Sequence, residues 1–188
     1  LHAYANGLDR SPVSSACQEN APKSIGNGLT FPRSLSGREE ICSGIAMLSD
    51  RVAVRLRRAG MKAAGVSLAI RDPDFRDISR QRRLEPPTCL ARELSQAAVS
   101  LAEGCWNMDS PVRALTVTAL YLISEDQAGV QLDLLGQADA PRRDRLERLD
   151  RTLDQIRAKY GRNAISPASS AGVCQGGVQE EDEEGATS

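Results

Sequence analysis

The 188-residue chain has few aromatic residues, one histidine and no closely spaced cysteine pair. With one Trp, three Tyr and two Phe, it is poorly equipped to bind single-stranded nucleic acid by base stacking. The five cysteines lack metal-ligand spacing and the histidine is His2, so the sequence argues against a zinc site. Because an odd number of irregularly spaced cysteines favours reduced thiols, we expect a cytoplasmic protein.

Long apolar runs and a signal peptide are also missing from the sequence. We therefore expect no membrane partner. The first residue is leucine, so we expect this chain to be a piece of something longer.

Charge is nearly balanced overall but unevenly distributed. Residues 23–123 contain 15 basic and 10 acidic residues, and residues 71–83 alone contain five arginines. The run Glu180–Glu184 reverses the sign near the C-terminus. A mildly basic core with an acidic tail permits nucleic-acid binding without establishing it.

The segment Lys23–Arg33 is typical of a strand with two unlike faces. Apolar Ile25, Leu29 and Phe31 share one face, while the other carries only small or hydroxyl residues: Ser24, Gly26, Gly28 and Thr30. A sheet face reduced to glycines and hydroxyls lets phosphates approach backbone N–H groups. The alternative is an ordinary Gly-rich edge strand.

The remaining pattern predicts the order strand, helix, strand, strand, helix, strand. Ser36 and Glu39 have the spacing of a capping box. An apolar stripe at helical spacing follows and ends at Gly60: Ile41, Ile45, Leu48, Val52 and Leu56. Further strands are predicted at 66–71, 77–84 and 112–123, with a helix near 90–101. This order predicts an α+β fold, the split βαβ arrangement, with a four-stranded antiparallel sheet and both helices on one face.

A further helix is predicted over residues 142–160, packed through an apolar stripe: Leu146, Leu149, Leu153, Ile156 and Tyr160. Residues 166–188 are small, polar and acidic, and we expect a disordered tail. Asp72 and Asp74 are expected to be turn residues rather than metal ligands. Trp106 is expected to close the second helix against the core rather than to stack a base.

In this arrangement we expect strands one and three to be central and adjacent. Their shared open face would hold a DNA backbone through phosphate contacts, which give affinity without reading sequence. Arg80 and Arg82 fall on the same side as Ile78 and Leu84, so we expect a β-bulge in strand three. The expected DNA-binding set is Ser24, Gly26, Asn27, Gly28, Thr30, Arg71, Arg80, Gln81, Arg82, Arg83, Thr116 and Thr118. Most of the arginines of the first helix are expected to line its solvated side: Arg51, Arg55, Arg57 and Arg58.

Several short motifs occur in an order that resembles the C-terminal part of Y-family translesion DNA polymerases, the DinB/UmuC (DNA polymerase IV) group. They include Pro22–Gly28, Arg55–Gly60, Ile70–Asp72, Ser79–Leu84 and Lys159–Ile165. The resemblance implies that residues 23–125 form the DNA-binding little finger, 1–9 the end of a thumb-like helical segment, and 10–22 a linker. It also implies that the palm, whose carboxylates hold magnesium, is absent from this chain. We therefore expect no catalytic residue, no metal ligand and no cofactor here.

Residues 126–165 would hold a clamp-binding peptide and a C-terminal helix. The peptide Gln131, Leu132, Asp133, Leu134 and Leu135 is similar to the family's sliding-clamp-binding motif, although the family usually has an aromatic residue in place of Leu135. The alternative for this peptide is a strand or loop that anchors the C-terminal helix.

The resemblance thus implies a non-catalytic part of an error-prone translesion polymerase, which would grip duplex template–primer DNA and tether a sliding clamp. The first alternative is a stand-alone DNA- or clamp-binding accessory protein. The second is a ferredoxin-like RNA-binding domain, which would need aromatic residues on strands one and three. Strand one offers only Phe31, on its buried side.

Overall fold

The computed structural model describes residues 5–8, 22–125, 140–161 and 164–165. The four strands are β1 (Ser24–Leu35), β2 (Met61–Arg71), β3 (Asp77–Thr88) and β4 (Val112–Ser124). The three helices are α1 (Arg38–Arg58), α2 (Ala91–Cys105) and α3 (Ala140–Tyr160). The predicted α+β class and element order are thereby confirmed.

The strands form one antiparallel sheet in the order β1-β4-β2-β3. The prediction that strands one and three are central neighbours is therefore wrong, since β1 and β3 lie at opposite edges. β4 inserts between β1 and β2 and pairs with both, which leaves β3 paired with β2 alone. The Gly-rich first strand is an edge strand, as the alternative interpretation held.

Apolar side chains of all four strands face the two helices α1 and α2. The predicted stripe of α1 is completely buried against strand residues such as Leu68, Leu115 and Val117. Close packing is visible at Gly44 of α1, where an added Cβ would lie only 3.1–3.2 Å from Leu35, Phe31 and Leu115 side chains. Burial of this one face stabilises the sheet, and none of the described helices covers its other face.

The start of α1 differs in detail from the predicted capping box. The N-cap position is Gly37, and no side chain caps the helix there. Glu40, not Glu39, accepts the backbone N–H of Ser36 at 3.0 Å and binds Arg33 through two hydrogen bonds. After the C-terminal end of α1, Gly60 adopts φ 62°, the left-handed conformation that favours a glycine at the predicted end of this helix.

The predicted C-terminal helix is confirmed as α3, but ion pairs contribute more to its docking than the predicted stripe suggests. Leu149 is 53% exposed and Tyr160 67% exposed. Charged side chains join α3 to the rest of the domain in the pairs Arg57–Asp150, Arg57–Asp154, Lys62–Glu147, Glu93–Arg143, Glu125–Arg151 and Asp50–Arg157. Arg57 is an exception to the prediction of a solvated arginine side, because only 5% of its side chain is exposed.

Other local predictions also hold. The Asp72 turn closes through hydrogen bonds from the N–H groups of Phe75 and Arg76. Trp106 packs against the core and donates its Nε1–H to the carbonyl of Ser110 at 3.3 Å. Within the described residues, none of the helices combines the length and apolar character that a membrane span requires.

Candidate nucleic-acid interface

The face of the sheet turned away from α1 and α2 is here called the open face. Cross-strand register defines it, because residues directly opposite each other in an antiparallel pair share a face. Four rows run from β1 to β3: Ser24–Leu120–Gly65–Arg83, Gly26–Thr118–Ser67–Gln81, Gly28–Thr116–Ala69–Ser79 and Thr30–Ala114–Arg71–Asp77. The open face is thus mostly small and polar, as predicted, and spans all four strands.

Threonines of β4 lie over the glycines of β1, so this part of the open face is less bare than predicted. A Cβ added at Gly26 would lie 2.8 Å from Thr118 Oγ1, and one added at Gly28 would lie 2.5 Å from Thr116 Oγ1. The glycines are therefore needed for close side-chain approach from the neighbouring strand. The hydroxyls, rather than bare amides, form the surface at these two positions.

Backbone N–H groups are instead available along the outer edge of β1. The carbonyl of Gly26 accepts a hydrogen bond from Arg55 Nη1 at 2.7 Å, so it points away from β4. In an antiparallel strand the N–H and C=O of one residue point to the same side, and alternate residues repeat the direction. The N–H groups of Gly26, Gly28 and Thr30 therefore point outward, and Pro32, which has no N–H, continues this period.

Arg80 and Arg82 do not lie on the open face, where the sequence had placed them. They pair in register with Leu68 and Val66, whose side chains are buried under the helices. Arg82 reaches Ser100 of α2 at 3.4 Å. Burial raises the pKa of Cys105 at the end of α2, and nearby Arg80 partly offsets that shift, which also places Arg80 on the helix side.

The expected β-bulge does not lie where it would bring Arg80 and Arg82 to the open face. Pairing between β2 and β3 is regular from Arg71↔Asp77 to Gly65↔Arg83, and the register shifts only beyond Arg83. Arg80 and Arg82 stay exposed because β3 is an edge strand, so that their long side chains can reach solvent past the edge. Inward-pointing charges of this kind also protect an edge strand from pairing with other chains.

Asn27 is also absent from the open face, where the predicted site had placed it. It pairs with Val117 on the helix-covered side, and its Oδ1 is buried without a hydrogen-bond partner among the described residues. Its side chain is therefore not available to a ligand on the open face.

Arg71 lies on the open face but its charge is already paired. Its guanidinium donates two hydrogen bonds to Asp77, at 2.7 and 2.8 Å. Hydrogen bonding and charge attraction from Arg71 lower the pKa of the Asp77 carboxyl. Within the described part of the chain, Arg83 is the open-face arginine without an ion pair, so this face is less cationic than predicted.

Tyr121 belongs to this surface although sequence reasoning missed it. The residue has φ 53° and is 50% exposed. Its ring lies over Gly65, where an added Cβ would be 2.7 Å from Tyr121 Cδ2, and the Arg83 guanidinium sits 5.2 Å from the ring centre. Alternation alone puts Tyr121 on the helix side, so the positive φ is what the sequence could not reveal. The only related signal in the sequence is that residue 65 is a glycine, which leaves room for the Tyr121 ring.

Aromatic residues do not occur among the open-face positions of β1 and β3, which are small, polar or charged. This disfavours the RNA-binding alternative, which needs stacking side chains on those strands. No cluster of three or more potential metal ligands is found in the described part of the chain. The predicted clamp peptide, Gln131 to Leu135, lies outside the described residues.

Comparisons with known proteins point to one family. The impB/mucB/samB family C-terminal domain matches residues 22–134. DNA polymerase IV of Acetivibrio thermocellus is 37% identical over 161 residues, which cover 86% of this chain and 40% of that relative. DNA polymerase IV of Pelotomaculum thermopropionicum is 36% identical over 170 residues, with 90% and 40% covered, and that of Moorella thermoacetica is 36% identical over 180 residues, with 94% and 43% covered.

The fold and these matches define the class as the C-terminal region of a Y-family polymerase. The chain belongs to the impB/mucB/samB family, whose C-terminal domain it contains. This confirms the family that the sequence motifs predicted. The chain spans about two fifths of the length of the curated relatives it matches.

Proposed function

We propose that this chain is the duplex-gripping, non-catalytic part of a translesion DNA polymerase. Its relatives are named DNA polymerase IV. The observation that carries the proposal is the open face: a polar sheet surface that no described helix covers, with outward backbone N–H groups at one edge and arginines on the strand at the other. Nucleotide addition, with magnesium held by palm carboxylates, would belong to the rest of the parent protein.

The width of the sheet suits a DNA major groove. Neighbouring strands lie about 4.8 Å apart, so β1 and β3 are separated by roughly 14 Å. The major groove of B-DNA is about 12 Å wide between its two sugar-phosphate backbones. A sheet of this width laid over the groove brings each edge strand close to one backbone.

The two edges offer different phosphate ligands. On β1, the outward N–H groups of Gly26, Gly28 and Thr30 can donate to phosphate oxygens. On β3, Arg80 and Arg82 are exposed on the helix side and Arg83 is exposed on the open face, and none of the three has an ion pair among the described residues, so all three can neutralise phosphates. Thr116 and Thr118 lie between the edges and add short polar contacts, and Gln81 of β3 faces the same side.

This surface favours backbone contact over base reading. Base-specific recognition uses side chains that present two hydrogen-bonding groups to one base edge. Small residues dominate the middle of the open face, and Arg71 is paired with Asp77. Sequence-independent binding is what a polymerase that must hold any template requires.

Salt dependence tests this proposal directly. Duplex affinity is measured by fluorescence anisotropy over a series of NaCl concentrations, for the chain and for a triple variant, Arg80→Gln with Arg82→Gln and Arg83→Gln. The slope of log K against log salt is negative, and each lost phosphate contact should make it shallower by about 0.9. The triple variant should therefore have a slope shallower by up to about 2.7.

A matched control replaces three exposed helix arginines instead: Arg58→Gln, Arg145→Gln and Arg148→Gln. It removes the same charge away from the sheet and should leave the slope close to that of the unchanged chain. Equal losses in both variants would contradict a specific role for β3.

Clamp tethering is a separate part of the proposal and rests on the sequence of the peptide at 131–135. Replacing Leu132 and Leu134 with Ala should abolish capture by a sliding clamp and leave duplex affinity unchanged. Clamp capture equal to that of the unchanged chain would remove the peptide from this role.

A further inference from the structure

An open cleft of about 300 Å³ lies between α2 and the first turns of α3. It lies on the helix side of the sheet, away from the open face. Three arginines and one glutamate give its lining a net charge of +2: the lining residues are Arg92, Glu93, Gln96, Arg142, Arg143 and Leu146. The cleft therefore has the chemistry of a site for a multiply charged anion.

The arginines of the cleft are incompletely satisfied. Arg143 Nη2 donates to Glu93 at 3.1 Å and to the carbonyl of Pro87 at 3.4 Å, but its Nε is buried without a hydrogen-bond partner among the described residues. Arg92 and Arg142 are exposed, and no ion pair is found for either within the described ranges. The first turn of α3 contains no acidic residue, so its arginines sit unfavourably at the positive end of the helix dipole. An anion in the cleft would offset the charges of Arg92 and Arg142 and the unfavourable position of the α3 arginines at the helix N-terminus.

The chain itself contains a matching anion, the run Glu180–Glu184, with five consecutive carboxylates. Its tether begins at a defined place, because Arg157 Nε donates to the carbonyl of Ile165 at 3.1 Å. Arg143 lies fourteen residues before Arg157 on the same helix, which corresponds to about 21 Å along the axis.

The tether has the length that this distance requires. Residues 166–179 are rich in Gly, Ser and Ala. Chains of flexible composition have a root-mean-square end-to-end distance of about 5–6 Å times the square root of their length, which gives roughly 21 Å for the step from residue 165 to 180. Effective concentration is highest when linker length matches the span, and it then reaches the millimolar range.

We infer that the acidic run Glu180–Glu184 binds the arginine cleft between α2 and α3 of its own chain. The carboxylates face Arg92, Arg142 and Arg143 and fasten the first turns of α3 to α2. The open face stays free, because the cleft is on the opposite side of the sheet. The contact is independent of the proposed DNA function.

The test compares amide NMR spectra of the full chain with those of a variant that neutralises the run: Glu180→Gln, Glu181→Gln, Asp182→Asn, Glu183→Gln and Glu184→Gln. Chemical-shift differences are expected at Arg92, Gln96 and Arg142. They should disappear when about 1 M salt reduces the screening length to roughly 3 Å.

A second comparison identifies the cleft as the binding partner. In a background of Arg92→Gln with Arg142→Gln, neutralising the acidic run should produce no shift differences. In the control background of Arg58→Gln with Arg148→Gln, the differences should persist. If the full chain and its variant with the neutralised acidic run show no shift differences at the cleft, the inference is overturned. Differences centred on Gly28, Thr116 and Arg83 would overturn it too, by placing the acidic run on the open face.

Discussion

The arginines that dock α3 and the arginines of the edge strand β3 have different surroundings. On the helix side, each arginine that docks α3 lies against a carboxylate: Arg57, Arg143, Arg151 and Arg157. On β3, Arg80, Arg82 and Arg83 have no ion pair within the described residues, and Arg83 lies over the Tyr121 ring instead. The same residue type therefore stabilises the fold in one region and, in the other, stays without a counter-charge among the described residues, as the proposed phosphate contacts require.

Arg57 shows the first situation most clearly. Its guanidinium donates to Asp154 at 2.6 and 2.9 Å, to Asp150 at 3.0 Å and to the carbonyl of Cys89 at 3.0 Å. Burial raises the pKa of Asp150, and the positive charge of Arg57 offsets part of that shift. Removing the guanidinium would leave partly buried carboxylates without a counter-charge, which costs more than losing an exposed pair.

The largest expected effect is therefore on stability, from Arg57→Met. We expect a loss of about 3 kcal/mol in the free energy of unfolding, measured by urea denaturation near neutral pH. Arg58→Met is the matched control, because Arg58 is exposed on the same helix turn, and it should cost less than about 0.5 kcal/mol. Similar losses in both variants would break the distinction between the two regions.

A smaller effect on the free energy of unfolding is expected from the open face. There, small residues let side chains of the neighbouring strand approach closely. Gly28→Ala places a Cβ 2.5 Å from Thr116 Oγ1, so Thr116 must leave its position, at a cost of about 1 kcal/mol. Gly104→Ala is the control, since nothing lies within 4 Å there and alanine favours the helix by roughly 0.5–1 kcal/mol.

A double-mutant cycle sharpens this prediction. In a Thr116→Ala background the hydroxyl is gone, so Gly28→Ala should lose most of its effect on the free energy of unfolding. An unchanged effect in that background would show that the close Gly28–Thr116 approach does not matter.

The smallest effect concerns an exposed ion pair on the helix side, Arg33–Glu40. Hydrogen bonds from Arg33 and from the Ser36 N–H lower the pKa of Glu40 from 4.5 to about 2. Because the folded-state pKa is depressed, the pair stabilises the protein above pH 4.5 and loses this contribution as the pH falls toward about 2.

Glu40→Gln should therefore be slightly less stable than the unchanged chain above about pH 5, by less than the Gly28 variant. The difference in melting temperature should vanish near pH 2. A difference that stays constant from neutral to acidic pH would show that the charge of Glu40 is not its cause.

Most of the fold follows from local patterns in the sequence. The spacing of Ile41, Ile45, Leu48, Val52 and Leu56 predicts α1 and its buried face, and every one of these residues is fully buried. Strand order was mispredicted, because the βαββαβ order leaves open whether β4 pairs beside β1 alone or inserts between β1 and β2. That choice depends on contacts between segments far apart in sequence.

The candidate site was predictable only in part. Alternation placed Ser24, Gly26, Gly28, Thr30, Thr116 and Thr118 on one face correctly. Arg80 and Arg82 were misplaced because charged residues are normally not expected on the covered side, yet an edge strand tolerates them there. Tyr121 was missed because a positive φ reverses the side on which its ring lies.

The most direct test of the duplex grip is an amide NMR titration of the chain with a short DNA duplex. The predicted result is a set of shift changes on both sheet edges, at Gly26, Gly28 and Thr30 of β1 and at Gln81 and Arg83 of β3, with Gln96 of α2 unchanged. Changes confined to α2 and α3, with both edges silent, would contradict the proposal.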